Sequence, residues 1–233
     1  METSLHRQLK QHYAGGPAGR CEVTIGGLRV DAISPDGQLI EVQSGPLGPL
    51  KSKLTRLLAS GHRVRVVKPV VLTRRIVRLQ SPQGPILDTR RSPWRGALLN
   101  VFDDLPGLAG LMRRSPACLE ILGVAIDEHR VARRRWPGYR VLDRVLVDVL
   151  TARTVECPDD LWSLLAVNLP DPFTTRDLAA ALGRPLGFAQ RVAYSLRESG
   201  ASRLVGKRHN LRLYSRQPAR RSLRGSSWTA CRG

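Results

Sequence analysis

Long uncharged apolar runs are missing from this chain. No stretch approaches the ~18 apolar residues of a membrane span, because Arg, Asp or Lys interrupts every candidate. The opening residues, Met1 to Arg7, hold no apolar core of the kind a signal peptide carries. Secretion and membrane spanning are therefore set aside, and a cytoplasmic, nucleoid-associated location is expected. Cysteine is scarce as well. Cys21, Cys118, Cys157 and Cys231 stand far apart, with no C-x-x-C pair and no His gathered beside them. That spacing argues against a zinc knuckle or a disulfide scaffold and in favour of four reduced thiols. Internal repeats are not found.

What the chain does have is positive charge. Its 233 residues, 42% hydrophobic and 24% charged, suit one large globular domain or two small ones. Basic residues number 38 against 19 acidic, and 33 of the 38 are arginine. An arginine bias alone can reflect the base composition of coding DNA, so the distribution matters more. Residues 1–80 carry 13 basic and 5 acidic side chains, residues 81–180 carry 13 of each, and residues 181–233 carry 12 basic and only Glu198. Two basic ends around a neutral middle point to a polyanion, with nucleic acid foremost.

Residues 4–13 read as a short helix capped by Ser4, with Leu5, Leu9 and Tyr13 in line. Strand-like runs follow at Cys21–Ile25, Leu28–Ile33 and Gln38–Gln43. Gly26-Gly27 and Ser34-Pro35-Asp36-Gly37 supply the reversals between them. Pro49 suits a first helical position, and Leu50, Leu54, Leu57 and Leu58 mark a helix that Gly61 ends. The Val-rich run Arg63–Leu72 reads as a buried strand. The expected order is α-β-β-β-α-β, an α/β fold. Beyond it come a loop over Arg90–Gly96, helical pieces near Leu98–Asp104 and Leu108–Arg113, and, over Leu119–Ile126 and Val141–Val155, further strands or a mixed strand and helix, with a turn over Arg133–Gly138.

From Pro158 the pattern turns helical. Asp159–Leu165 makes one helix; Thr174 with Asp177 opens a second in capping-box fashion, ending at Gly183; Phe188–Ser199 makes a third. A hairpin with a basic tip, Gly206 to Asn210, follows. The domain organisation expected is 1–157 (core 1–72, extension 73–157), 158–215, and a basic disordered tail over 216–233.

Candidate chemistry starts from period two. Glu41 and Gln43 share a face of their strand, and pairing of the second and third strands can set Asp31 beside Glu41. Two carboxylates at one sheet edge suit Mg²⁺ or Mn²⁺, hard cations that prefer oxygen. A metal-bound water beside a phosphodiester supplies a nucleophile. His6 and His12 are read as facing solvent or substrate backbone.

With its Asp on the second strand, Val30-Asp31, and its Glu41-Val42-Gln43 on the third, the α-β-β-β-α-β run resembles the PD-(D/E)xK nuclease superfamily, whose fold is restriction-endonuclease-like. Gln43 stands where that motif usually has Lys and cannot supply positive charge. The resemblance implies metal ligation by Asp31 and Glu41, with Glu22 as an extra ligand. It also implies that Lys53 or Lys51 reaches back from the next helix to replace the missing cation. The whole chain is also similar to a group of uncharacterised bacterial proteins with an L-H-x-x-L-K first helix and a C-terminal winged helix. That similarity rests on Leu5-His6, Leu9-Lys10, Glu22, Asp31, Glu41-Val42-Gln43, Lys53-Leu54, Arg91-Ser92-Pro93 and Gly206-Lys207.

The C-terminal helices and hairpin resemble a winged helix-turn-helix, in which the last helix enters the major groove and the hairpin tip meets phosphate. The resemblance points to Gln190, Arg191 and Arg197 on the helix, and to Lys207, Arg208 and His209 on the tip, as DNA-binding residues. The expected protein is a Mg²⁺- or Mn²⁺-dependent DNA endonuclease with Asp31, Glu41, Gln43 and Lys53 as catalytic residues. The alternative is a non-catalytic DNA-binding or regulatory protein on a degenerate nuclease scaffold. DNA is the expected partner and no membrane is; the oligomeric state is open, a homodimer included.

Overall fold

Gly26 and Gly27, with φ of 55° and 74°, form a two-residue reversal whose backbone matches the twist of the flanking strands. It joins β1 (Cys21–Ile25) to β2 (Leu28–Ile33) as an antiparallel hairpin. Gly37, at φ 80°, turns the chain again into β3 (Leu39–Val42), antiparallel to β2. A 3₁₀ turn at Gly48–Leu50 leads into α2 (Lys51–Ala59), which carries the chain over to β4 (Val64–Leu79), parallel to β3. With α1 (Ser4–Tyr13) ahead of them, these elements run α-β-β-β-α-β. The computed structural model describes residues 2–16, 19–113 and 117–217.

β4 continues past the end of β3, and β5 (Ile86–Arg91) folds back along its second half. Pro69 falls in the gap after β3 stops at Val42 and before β5 starts at Arg91, so its missing N–H costs no ladder bond there. A 3₁₀ segment (Leu98–Asp103) and α3 (Pro106–Met112) come next, then β6 (Cys118–Ala132), parallel to β4, and β7 (Tyr139–Val155), antiparallel to β6. The result is a mixed sheet of seven strands among the described residues, in the order β1-β2-β3-β4-β6-β7 with β5 on β4. The fold class is α/β. β4, β6 and β7 each run past the strand ends expected from the sequence. Residues 73–79 alternate less clearly, yet pairing with β6 buries Ile76 and Val77.

α1 covers one side of the sheet, with Leu5 and Leu9 against Ala32, Ile40, Val42 and Val67. Thr3 rather than Ser4 caps it: the Thr3 hydroxyl accepts the His6 amide, and Ser4 instead bonds Asp143 on β7. α3 sits close to the 3₁₀ turn that introduces α2. A Cβ on Gly107 would lie 2.5 Å from the Gly48 Cα, so only glycine allows this approach.

The C-terminal elements are α4 (Asp160–Ser163), α5 (Thr175–Leu182), α6 (Leu186–Ser199) and the hairpin β8 (Ser202–Arg208) and β9 (Leu211–Arg216). The Thr174 hydroxyl accepts the Asp177 amide while Asp177 accepts the Thr174 amide, a reciprocal cap contributing about 1 kcal/mol. Phe173 exchanges two backbone bonds of 2.8 Å with Tyr214, tying β9 to the approach of α5. Phe188, Val192 and Leu196 of α6 share one apolar cluster with Val101, Leu105 and Leu108. The core therefore runs across residue 157 without a break. The basic tail expected from 216 lies, from residue 218 onward, outside the described residues, and Cys231 with it.

Candidate functional site

The register Ala32↔Ile40 and Ile33↔Leu39 sets Asp31 directly across from Glu41. Asp31 Oδ2 accepts the Val42 amide at 2.8 Å, which fixes the carboxylate over the end of β3. Lys53, one turn into α2, brings its Nζ to 2.5 Å from Glu41 Oε1. Glu41 is 2% exposed, and this close ion contact with Lys53 is what answers its buried carboxylate.

The two carboxylates are pushed in opposite directions. Burial acts first on both and disfavours the charged form. At Glu41 burial prevails and Asp31's negative charge adds to it, so the pKa rises despite Lys53. At Asp31 the His6 ring, the Val42 amide and Lys53 together outweigh burial and hold the carboxyl below its usual range. Neighbouring carboxylates driven apart in this way can share one proton or one cation.

His6 Nε2 lies 3.5 Å from Asp31 Oδ2, an approach the sequence did not disclose. A signal was present: Glu2, His6 and Lys10 recur every four residues, the spacing of one helix face. Lys10, only 4% exposed, contacts both Glu2 and Glu22 at 2.5 Å. Glu22 also pairs with Arg29. Glu22 is thus engaged in a cationic cluster beside the Asp31 pair and not on it. Gln43 turns its amide to the Pro46 carbonyl, 2.9 Å away, and touches neither carboxylate. The loop it grips is held from below by Lys68, a fully buried lysine that donates to Ser44 O and Gly45 O and pairs with Asp104 at 2.7 Å. Burial lowers the Lys68 pKa against that pairing.

The structure therefore brings Asp31, Glu41, Lys53 and His6 together and leaves Gln43 and Glu22 to one side; Lys51 makes no ion pair among the described residues. Among those residues no three His, Cys, Asp or Glu side chains gather as a ready metal site. The residues still fit a divalent cation through the cross-strand carboxylate pair, once Lys53 is displaced from Glu41.

The DNA-binding candidates divide in the same way. Gln190 and Tyr194 are exposed on α6 and, with Arg197, Asn210 and Arg212, line a groove of about 390 Å³ between helix and hairpin. Arg191 is tied to Asp103 at 2.6 Å, Arg197 to Glu198 at 2.7 Å, and Arg208 stands 3.6 Å from Asp177. His209 is exposed at the two-residue tip of the hairpin, and Lys207, exposed at the end of β8, pairs with Arg212 just before it. No helix among the described residues is long and apolar enough to cross a membrane.

An "Uncharacterized protein" from Treponema pallidum (strain Nichols) is similar to this chain, 32% identical over 224 residues that span 93% of the chain and 86% of the relative. No solved structure matches. The model of one family covers residues 3–156, a stretch holding every strand of the large sheet and both carboxylates of the pair. The chain belongs to that family, the Domain of unknown function (DUF8091).

Proposed function

We propose that this protein is a metal-dependent DNA endonuclease. The observation that carries the reading is the meeting of Asp31, Glu41 and Lys53 at one end of β2 and β3. Two carboxylates and one cation are the charges that phosphodiester hydrolysis requires, and here Lys53 arrives from α2 to offer the charge Gln43 lacks. The order α1-β1-β2-β3-α2-β4, with β3 and β4 parallel, supports a PD-(D/E)xK-like core. Two helices joined at a short turn and followed by a hairpin support a winged helix after it.

Asp31 and Glu41 would hold Mg²⁺ or Mn²⁺, which supplies an acidified water and shields charge growing on the phosphate. Asp31, already ionised by its neighbours, anchors the site. Burial makes Glu41 hold its proton more tightly than a free carboxyl, and a bound cation would favour its ionised form. Lys53 Nζ, released from Glu41, is placed to meet a non-bridging phosphate oxygen. His6 orients Asp31 from α1.

The second reading, a DNA-binding protein on a silent nuclease scaffold, draws on the burial of Glu41 and its closure by Lys53. Plasmid nicking with and without Mg²⁺ separates the two. The endonuclease reading expects nicking that Asp31→Ala and Glu41→Ala each abolish, with duplex affinity nearly unchanged. Metal-independent background nicking, equal in all three proteins, would leave only the scaffold reading.

A further inference from the structure

Residues 81–180 are electrically neutral as a segment, yet the fold separates their charges. β5 and the outer halves of β4, β6 and β7 form one end of the sheet, with Arg75 beside Arg91 and Asp127, and Ile76 beside Arg90 and Glu128, which in turn faces Arg144. Residues 74–95 and 127–144, which make up this arm, hold twelve arginines, no lysine and four carboxylates. Each carboxylate is already engaged: Asp88 with Arg78, Asp127 with Arg75, Asp143 with Ser4, and the buried Glu128 with Arg74, Arg130 and Arg144. The arm's excess is thus eight positive charges, five of them from residues 81–180 and three from Arg74, Arg75 and Arg78.

We infer that this arm is a second duplex-binding surface that grips the phosphate backbone. The inference rests on DNA as the ligand and not on cleavage. Arg133, Arg134 and Arg135 are exposed at the β6–β7 turn and have no carboxylate partner among the described residues. Arg90, Arg91 and Arg140, exposed on the flanking strands, have none either. Arginine favours this use, since its planar fork meets two phosphate oxygens at once. Two of the arm's guanidiniums lie over rings, Arg74 over Trp94 at 5.2 Å and Arg130 over Tyr139 at 3.8 Å from the ring centroid. Trp136, 91% exposed at the tip, adds an indole that can lie along a groove wall. From Asp127 to Ala132 the strand runs about 17 Å before the turn, room for several phosphates of one strand.

The test compares full-length wild type, Arg133→Gln/Arg134→Gln/Arg135→Gln and Arg90→Gln/Arg91→Gln on a fluorescent 30-base-pair duplex across a salt series. Thermal melting of each variant checks the fold; the two variants change separate elements, so either one alone can decide. The slope of log affinity against log salt should flatten by about 2–3 in the triple variant and by about 2 in the double. Unchanged slopes in a folded variant, with wild type binding normally, overturn the inference and leave the endonuclease reading standing. Loss of nicking activity in every protein, with the slope changes intact, has the opposite meaning. No duplex binding by wild type removes both. A triple variant that binds DNA normally but no longer binds phosphatidylserine vesicles would reassign the arm to an anionic membrane surface.

Discussion

The carboxylate site and the exposed arginine surfaces handle charge in opposite ways. At the end of β2 and β3 the site's acids are answered from within the protein: Asp31 by His6 and an amide, Glu41 by Lys53, Glu22 by Lys10 and Arg29. At the β6–β7 turn Arg133, Arg134 and Arg135 stand in solvent with no acid partner among the described residues, as does Lys207 beside the β8–β9 tip. A surface left unpaired is ready for a partner as it stands. A site whose charges are already matched has to exchange one partner for another, and Lys53, only 22% exposed, is the one that must move.

The strongest way to break that comparison is to cut the molecule between its parts. Deleting residues 158–217 together with the tail strips α6 from Val101, Leu105 and Leu108, all nearly fully buried. Each large apolar side chain so uncovered forfeits about 1.5–3 kcal/mol. The remaining fragment is expected to lose cooperative melting and aggregate, as read by circular dichroism and light scattering. A fragment that melts within a few degrees of the full chain would mean the two parts fold independently.

A smaller effect should come from Lys53. Lys53→Met removes one charge contact at the reacting phosphate and should slow Mg²⁺-dependent nicking by about 10². Lys51→Met serves as its neighbour control and should change little. Equal, mild losses in both would place the missing cation elsewhere.

The mildest effect sharpens the closed side. Glu41 has its folded pKa raised above the ordinary 4.5, so the folded chain binds this proton more tightly than the unfolded chain does. Stability is therefore lost as pH climbs from 4.5 through the folded pKa. Glu41→Gln has no such proton to lose. Its melting temperature should match wild type near pH 4 and exceed it by about 2–4 °C at pH 7. Asp31 runs the other way: its stabilising contribution is full above 3.8 and disappears as pH falls through its lowered folded pKa. A Glu41→Gln chain less stable than wild type at pH 7 would mean the contact with Lys53 outweighs the cost of burying the charge.

Much of this could be read locally. Ser34-Pro35-Asp36-Gly37 dictates a tight reversal, and period two then carries Asp31 to Glu41 across a short hairpin without help from distant residues. The Thr174–Asp177 cap is equally local. Less legible were the outer halves of β4 and β6, whose arginines blur the alternation. They are strands because β4 pairs with β6 over a long register, an interaction between residues some 50 apart.

By itself the sequence determined the turns, the Thr174–Asp177 cap, the α-β-β-β-α-β order and the cross-strand position of two acids, all set by backbone preferences within a few residues. Only the tertiary structure decided which charges meet. It set His6 against Asp31, turned Gln43 away to Pro46, tied Arg191 to Asp103, and sorted a neutral middle segment into a basic arm. Electrostatic neighbours are chosen by packing in three dimensions, and a charge count along the chain averages over the separation that packing creates.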